Sequence, residues 1–343
     1  MLRAEQALQG CGMGFWAGRT VLVTGAAGFI GSHLTEALLG EGAEVRVLIR
    51  YNSAGRRGFL DDFAPTDQAR LRVFASTVED PFAVDQAVQG CDTVFHLAAL
   101  IGIPYSYVAP QHYVATNVQG TLNVLQACLR HQVRRLVHTS TSETYGTAQY
   151  APIDEKHPLV GQSPYSASKI AADQMAIAYH RSFELPVTIL RPFNTYGPRQ
   201  SARAIIPTVI TQVLAGRDPI EVGSISPRRD FNFVGDTVAG FLGIAQCDAA
   251  IGEVVNVGSG RTWTIGETIE RIAQLVGRPV SVRCQDERVR PEASEVMLLL
   301  ADTQKAQVLF GYQPAVNLDE GLRRTIEWLS SNQHRYRASE YAV

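Results

Sequence analysis

Two clusters of reactive side chains, about 20 residues apart, carry the strongest chemical signal in the sequence. The first is the hydroxyl-rich run STSETYG at Ser140–Gly146, which includes one carboxylate; the second contains Tyr165 and Lys169. Positions i and i+4 of a helix share one face, so a helix here would place the lysine beside the tyrosine. A tyrosine that acts as a base must have its pKa lowered from about 10 toward neutrality, which requires about 4 kcal/mol. An adjacent ammonium and the Thr141 hydroxyl favour that change.

A glycine-rich loop near the N-terminus predicts a dinucleotide site. The stretch TVLVTGAAGFIGSHL at Thr20–Leu34 is typical of an apolar strand, a tight turn and the beginning of a helix. Glycine lets a ligand approach the main chain, and the free N–H groups of a helix N-terminus attract an anion such as a pyrophosphate. An oxidised nicotinamide would add its positive charge to that of the lysine. The predicted contacts in the loop are Gly25, Gly28, Phe29, Ile30 and Gly31.

Residues at the ends of later strands complete the predicted cofactor site. In NAD-binding folds an acid about 20 residues beyond the loop holds the ribose hydroxyls. Here the strand Glu44–Ile49 leads to Arg50 instead, which favours NADP over NAD, unless this arginine is simply solvated. The other predicted cofactor contacts are Thr77, Val78, Leu97, Ala98, Ala99, Tyr165, Lys169 and Pro192.

Strands and helices alternate over residues 19–191, which predicts an α/β fold with a doubly wound parallel (Rossmann) sheet. Ligands bind such sheets beyond the carboxyl ends of the strands. Residues 192–343 contain shorter elements separated by proline and glycine, and we expect a smaller α+β substrate lobe there, with about 230–243 returning to the main sheet. Residues 1–18 are expected to form a disordered arm, with Met13 as an alternative start.

Composition narrows the possible partners. The chain has 343 residues, 45% of them hydrophobic, and a net charge of −2, so neither nucleic acid nor a membrane surface is an expected partner. No apolar run approaches the roughly 20 residues of a membrane helix. Five scattered cysteines without a C-x-x-C pair argue for a reducing, cytoplasmic location and against disulfides or zinc. No metal is expected.

The motifs, taken in order, resemble the extended short-chain dehydrogenase/reductase family. TGAAGFIGSHL, HLAA, TSTSETYG, the Tyr165/Lys169 pair, RPFNTYGPR and RRDFNFVGD match along almost all of the chain from Arg19 to Trp328. The resemblance is to the subgroup that oxidises the C4 hydroxyl of a nucleotide-diphosphate sugar, uses the ketone for a second step and often returns the hydride. It also implies a homodimer, formed through a four-helix bundle of residues 113–130 and 164–183.

The resemblance assigns roles to individual residues. Tyr165 would be the base at C4, Lys169 its electrostatic partner, and Thr141 a hydroxyl bonded to the substrate. Glu143 would take the C5 proton, and Ser142 stands where many family dehydratases have an acidic residue. The expected substrate contacts are Tyr105, Ser106, Thr141, Asn194, Arg203, Arg229 and Arg290. Arginine suits the diphosphate because its planar fork donates two parallel hydrogen bonds.

Glu143 favours a 4,6-dehydratase, since a plain 4-epimerase needs no carboxylate at this position. Stretches such as AALIGIPYSYVAP and GQSPYSASKIAADQMA are similar to the N-acetylglucosamine 4,6-dehydratases of legionaminic-acid-type pathways, with UDP or GDP as the nucleotide. The alternatives are a UDP-glucuronate decarboxylase, in which the trio Thr-Ser-Glu also occurs, and an NDP-sugar 4-epimerase. A non-catalytic dinucleotide sensor is disfavoured because this chain keeps both Tyr165 and Lys169.

Overall fold

The computed structural model describes residues 14–336, and a seven-stranded parallel sheet lies at its centre. The strand order is β3-β2-β1-β4-β5-β6-β11, which reverses direction at β1 as a doubly wound sheet does. The predicted α/β class is thus confirmed. These seven strands are β1 (Thr20–Thr24), β2 (Glu44–Ile49), β3 (Leu71–Ala75), β4 (Thr93–His96), β5 (Arg135–Thr139), β6 (Val187–Pro192) and β11 (Val254–Val257).

Helices cover both faces of this sheet. One face packs against apolar side chains of α1, α9 and α11, and the other against α3, α6 and α7. The helices are α1 (Phe29–Gly40), α2 (Pro65–Ala69), α3 (Pro81–Val88), α4 (Ile103–Val108), α5 (Pro110–Tyr113), α6 (Gly120–Arg130), α7 (Pro164–Phe183), α8 (Ile205–Leu214), α9 (Val234–Gln246), α10 (Ile265–Val276), α11 (Gln304–Phe310) and α12 (Leu318–Ser331). None of the helices within residues 14–336 is long and apolar enough to cross a membrane.

Short strand pairs and three helices form a second apolar cluster after β6. Helices α8, α10 and α12 supply most of its buried side chains. The pairs are β7 (Asn194–Tyr196) with β10 (Phe231–Phe233), β8 (Ile220–Val222) with β13 (Val282–Cys284), and β9 (Arg228–Arg229) with β12 (Trp263–Thr264).

The chain does not return to the main sheet at about residues 230–243, as we expected, but at a later strand. Strand β10 pairs with β7 outside the main sheet, and α9 packs on the face of the main sheet. The strand that rejoins the sheet is β11, which pairs with β6. Its apolar side chains are nearly all buried, as the strand position between helices on both faces requires.

Part of the expected N-terminal arm is packed against the core. Residues 1–13 lie outside the described residues, but the Trp16 side chain is completely buried and its ring lies 5.7 Å from that of Phe95 in β4. Burial of the large Trp16 ring against the core stabilises this part of the segment, which explains the difference from the prediction. The expected homodimer stays a prediction.

Replacing Trp16 with alanine should lower the free energy of unfolding by about 3–5 kcal/mol, because it leaves a cavity beneath the sheet. Urea denaturation measures this. The matched control is Tyr51→Ala, since that side chain is 74% exposed and its loss should change the free energy by less than about 0.5 kcal/mol. Equal effects of the two substitutions would contradict the packing of Trp16.

Candidate active site

The glycine loop between β1 and α1 has the shape of a dinucleotide cradle. Gly25 has a φ of +73°, and a Cβ atom there would lie 2.9 Å from the Ala98 nitrogen. A Cβ on Gly31 would lie 2.3 Å from the Gly25 carbonyl oxygen, so neither position tolerates a side chain. Helix α1 begins at Phe29 with Gly28 as its N-cap and no side-chain cap, which leaves its first N–H groups suited to a pyrophosphate.

The Thr24 hydroxyl fixes the neighbouring strand end against this loop. It accepts hydrogen bonds from the backbone nitrogens of Leu97 and Ala98, both at 3.1 Å, and it bonds His96 Nδ1 at 2.8 Å. Burial, with the charges of His138 and Lys169, lowers the pKa of His96 well below its usual value. This histidine is therefore a neutral core residue, and Ala98 and Ala99 follow it with small side chains at the edge of the cradle.

The three residues predicted near the adenine end of the cradle differ in their burial. Val78 is buried, and Gly120 lies so close to it that a Cβ atom there would be 2.7 Å from the valine side chain. Thr77 is half-buried and accepts a hydrogen bond from the Glu79 nitrogen. Arg50 is exposed at the end of β2, so it is free to be solvated.

Helix α7 carries both Tyr165 and Lys169 in its first two turns. The helix begins at a capping box of Ser163 and Ser166, with Pro164 in its first turn. The side chains of Tyr165 and Lys169 are both buried. The Lys169 ammonium donates a 2.6 Å hydrogen bond to the Thr139 carbonyl at the end of β5. Burial lowers the pKa of Lys169 to about 8, although Asp173 opposes this shift.

The protein residues around Tyr165 do not by themselves lower the pKa of its phenol. Burial raises the pKa of this phenol, a hydrogen bond with Thr141 opposes the rise, and the nearby charge of Glu143 adds to it. The sequence argument called for a lower pKa, and a further positive charge near the phenol would supply the missing contribution. Glu143 is held beside Thr141, because its backbone nitrogen donates to the Thr141 hydroxyl at 3.3 Å.

A buried acid that sequence reasoning missed lies one turn beyond Lys169. The carboxylate of Asp173 is fully buried and accepts hydrogen bonds from Ser140 Oγ at 2.6 Å and Arg191 Nη2 at 2.7 Å. His138 Nε2 lies 3.3 Å from it. Burial raises the pKa of Asp173, but Arg191 and His138 outweigh this effect and hold it below its usual value. The signal was present, since Asp173 is at i+4 from Lys169 on the same helix face.

Asn117 connects the loop after β4 to α7. It lies in the π-helical turn Val114–Gln119, accepts a hydrogen bond from the Leu100 nitrogen at 2.8 Å and donates to Ser168 Oγ at 2.9 Å. Ser168 in turn donates to the Tyr165 carbonyl at 2.7 Å. Asn117 therefore has a structural role behind the reactive tyrosine.

Charged residues of the C-terminal lobe reach the pocket from the opposite side. Arg229 Nη2 donates to Glu295 at 3.0 Å, and Arg290 lies between Glu295 and Glu143. Asn194 has a buried side-chain oxygen without a hydrogen-bond partner in the described part of the chain, so this atom is available to a ligand. Glu295 was not among the residues that the sequence singled out.

The other predicted substrate residues are placed less favourably. Ser106 is fully buried, and its hydroxyl donates to the Ile103 carbonyl at 2.6 Å within its own short helix, so its contact with a substrate stays a prediction. Tyr105 is half-buried against Tyr113. Arg203 is exposed beside Gly102 at the mouth of the pocket, and Ser142 is buried in the turn after Thr141.

Comparisons with known proteins agree with this geometry. The family described as GDP-mannose 4,6 dehydratase matches residues 22–325. A dTDP-glucose 4,6-dehydratase of Actinoplanes sp. is 33% identical over 318 residues, which cover 91% of this chain and 98% of that protein.

Two solved structures superpose closely on the chain. The dTDP-glucose 4,6-dehydratase of Streptomyces venezuelae with NAD and TYD bound has a TM-score of 0.83 at 31% identity, covering 92% of this chain and 98% of that one. The UDP-glucuronic acid 4-epimerase of Bacillus cereus in complex with UDP-glucuronic acid and NAD has a TM-score of 0.83 at 28% identity, covering 92% and 100%.

Replacing Lys169 with methionine should abolish turnover yet stabilise the protein at pH 7. Lowering a lysine pKa from 10.5 to about 8 corresponds to about 3 kcal/mol of cost for keeping the ammonium charged in the fold. Loss of the bond to Thr139 offsets about 1 kcal/mol of the gain. Below pH 8 the cost is fully present, and it disappears as the pH rises from about 8 to 10.5.

Urea denaturation at pH 7 and at pH 10 checks this prediction. The methionine variant should exceed the wild type by about 2 kcal/mol at pH 7, and the advantage should shrink at the higher pH. A variant that is less stable at both pH values would show that the ammonium carries no burial cost.

Proposed function

We infer the function from the family: the chain belongs to the GDP-mannose 4,6-dehydratase-like family of NAD-dependent extended short-chain dehydrogenases/reductases, which includes dehydratases and epimerases that act on nucleotide sugars. Within it we propose a 4,6-dehydratase that converts UDP- or GDP-N-acetylglucosamine to the 4-keto-6-deoxy sugar. One observation carries this choice: the buried residue Glu143 adds a carboxylate to the turn that begins at Thr141, whose hydroxyl accepts from the Glu143 nitrogen at 3.3 Å.

The chain's own residues account for the proton transfers of this reaction. Bound NAD supplies reversible acceptance of a hydride, and Tyr165 takes the proton of the C4 hydroxyl while Thr141 bonds the same oxygen. The resulting ketone makes the C5 proton acidic, and Glu143 takes it as the hydroxyl at C6 leaves. That hydroxyl needs one proton to leave as water, which balances the proton that Tyr165 took from the C4 hydroxyl. Glu143 then gives its proton back to C5 when the hydride is restored at C6, so that the sugar loses one water with no net oxidation.

The proposed cofactor is NAD. The preference for NADP that Arg50 suggested is not supported, because both solved relatives contain NAD and this arginine is exposed. For the nucleotide diphosphate we propose contacts with Asn194, Arg229 and Arg290, since the Asn194 oxygen has no hydrogen-bond partner in the described residues and the two arginines lie near Glu143. N-acetylglucosamine as the sugar is supported by the sequence resemblance described above.

A 4-epimerase is the second candidate, and one contact favours it. Arg290 Nη1 lies 4.0 Å from the carboxylate of Glu143, so this carboxylate has a positively charged neighbour. An epimerase would tolerate such a pairing, because it needs only the tyrosine and a keto sugar that can turn over in the pocket. The same scaffold carries this activity in the solved UDP-glucuronic acid 4-epimerase.

Mass spectrometry of the product separates the candidates. The protein should be incubated with UDP- and GDP-N-acetylglucosamine, dTDP-glucose and UDP-glucuronate in separate reactions. Loss of one water from an N-acetylglucosamine nucleotide with no net formation of NADH supports the proposal. The same loss from dTDP-glucose alone would show a 4,6-dehydratase whose sugar is glucose and not N-acetylglucosamine. Loss of carbon dioxide from UDP-glucuronate would indicate a decarboxylase. An unchanged mass with an inverted C4 centre would indicate an epimerase.

Replacing Glu143 with glutamine should stop the loss of water but permit oxidation at C4. Glutamine keeps the size of the side chain but cannot take the C5 proton, so NADH absorbance should appear in single-turnover mixtures while the dehydrated product falls at least about 100-fold. The control is Tyr165→Phe, which should prevent both events while leaving NAD bound. Normal dehydration by the glutamine variant would contradict the assignment of Glu143.

A further inference from the structure

We propose that Glu295 is a positioning residue: it holds Arg290 away from Glu143, so that Glu143 remains free to take the C5 proton. The inference rests on the proposed function, because it concerns the base of that reaction. It adds a second carboxylate to the site, one that would not touch the reacting atoms itself.

Four charged side chains form a compact cluster at the pocket wall, with two arginines and two carboxylates. Glu295 Oε1 accepts a hydrogen bond from Arg229 Nη2 at 3.0 Å and lies 3.7 Å from Arg290 Nη1. The same Arg290 nitrogen is 4.0 Å from Glu143 Oε2. The formal charges of the four groups cancel, so each arginine has one carboxylate available to it.

Arg290 is divided between its two partners. Both of its distances exceed those of a charge-assisted hydrogen bond, which is about 2.7–2.9 Å long. Its Nη1 atom is buried and has no hydrogen-bond acceptor within the described residues. An arginine in this position responds to the balance of charge on either side, because the attraction to each carboxylate grows steeply in a poorly solvated pocket.

Glu295, in contrast, is firmly anchored. Its side chain is paired with Arg229, whose own side chain is only 7% exposed. Its backbone nitrogen donates to the carbonyls of Pro291 and Glu292, and its carbonyl accepts from the Thr147 hydroxyl. The preceding residue, Ser294, donates to the Gln162 carbonyl at 2.6 Å. Glu295 is therefore a fixed negative charge, and Arg290 and Glu143 adjust to it.

Loss of this charge should move Arg290 toward Glu143. With Glu295 neutral, Glu143 is the one remaining carboxylate of the cluster, and both arginines are drawn to it. A carboxylate held in a close ion pair has to break that pair before it can take a proton, which makes it a poorer base. Oxidation at C4 depends on Tyr165 and Lys169. Within the described residues, neither of them forms a hydrogen bond with Arg229 or Arg290.

Glu295→Gln in the full-length protein tests the proposal. Glutamine keeps an oxygen that can accept from Arg229 and removes only the charge. With saturating substrate, the rate of deuterium uptake from D2O at C5 should fall about tenfold, the effect of one unit of proton affinity. The rate of C4 oxidation, followed by NADH absorbance in a single turnover, should change less than about twofold. Glu292→Gln, which alters an exposed carboxylate of the same segment, is the matched control.

A second variant shows whether the loss of C5 uptake comes from the lost charge or from a disturbed fold. Glu295→Asp keeps the negative charge beside Arg229 and Arg290 and should retain most of the wild-type C5 uptake. Three results would overturn the inference: equal rates for Glu295→Gln and Glu292→Gln, an equal fall of C4 oxidation and C5 uptake, or a C5 uptake in Glu295→Asp as low as in Glu295→Gln. If the wild type shows no C5 uptake, or Glu143→Gln retains it, the proposed function fails instead.

Discussion

A buried ammonium is the constraint on which the rest of the site depends. Lys169 lies beneath the sheet edge with one hydrogen bond to the Thr139 carbonyl, and a charge in such surroundings costs several kcal/mol unless an opposite charge is near. Asp173 supplies it, and Arg191 with Ser140 holds that acid in its ionised form. The carboxylate of Asp173 thus links Ser140 after β5 and Arg191 in β6 to α7, the helix that also carries Tyr165.

The same pocket places two opposing demands on proton affinity. Tyr165 has to lose its proton, yet burial and the neighbouring Glu143 both favour the neutral phenol. In the proposed reaction Glu143 has to gain a proton, and Arg290 lies 4.0 Å from its carboxylate. The tyrosine therefore needs further positive charge in the pocket before it can act as a base. Functional sites commonly keep such unfavourable arrangements at the expense of stability.

Much of this architecture follows from local patterns in the sequence. The first six strands of the sheet were predictable because each is a short, β-branched apolar run bounded by turn residues, and Lys169 follows Tyr165 at helical spacing. Strand β11 was missed because it lies among proline- and glycine-rich segments, and Trp16 because a lone aromatic has no periodicity. Glu295 could not be found in this way, since a loop held by distant contacts brings it to Glu143. The Ser106 hydroxyl donates to the backbone of its own helix, a contact that the residue type alone does not reveal.

The central claim is that the site removes hydrogen from C4 of a nucleotide sugar and that the same hydrogen ends at C6. The most direct test uses UDP- or GDP-N-acetylglucosamine labelled with deuterium at C4, with the product examined by NMR. We expect the label on the C6 methyl group of the 4-keto product, one deuterium for each molecule turned over. Recovery of the label at C4, on either face of the ring, would contradict the account.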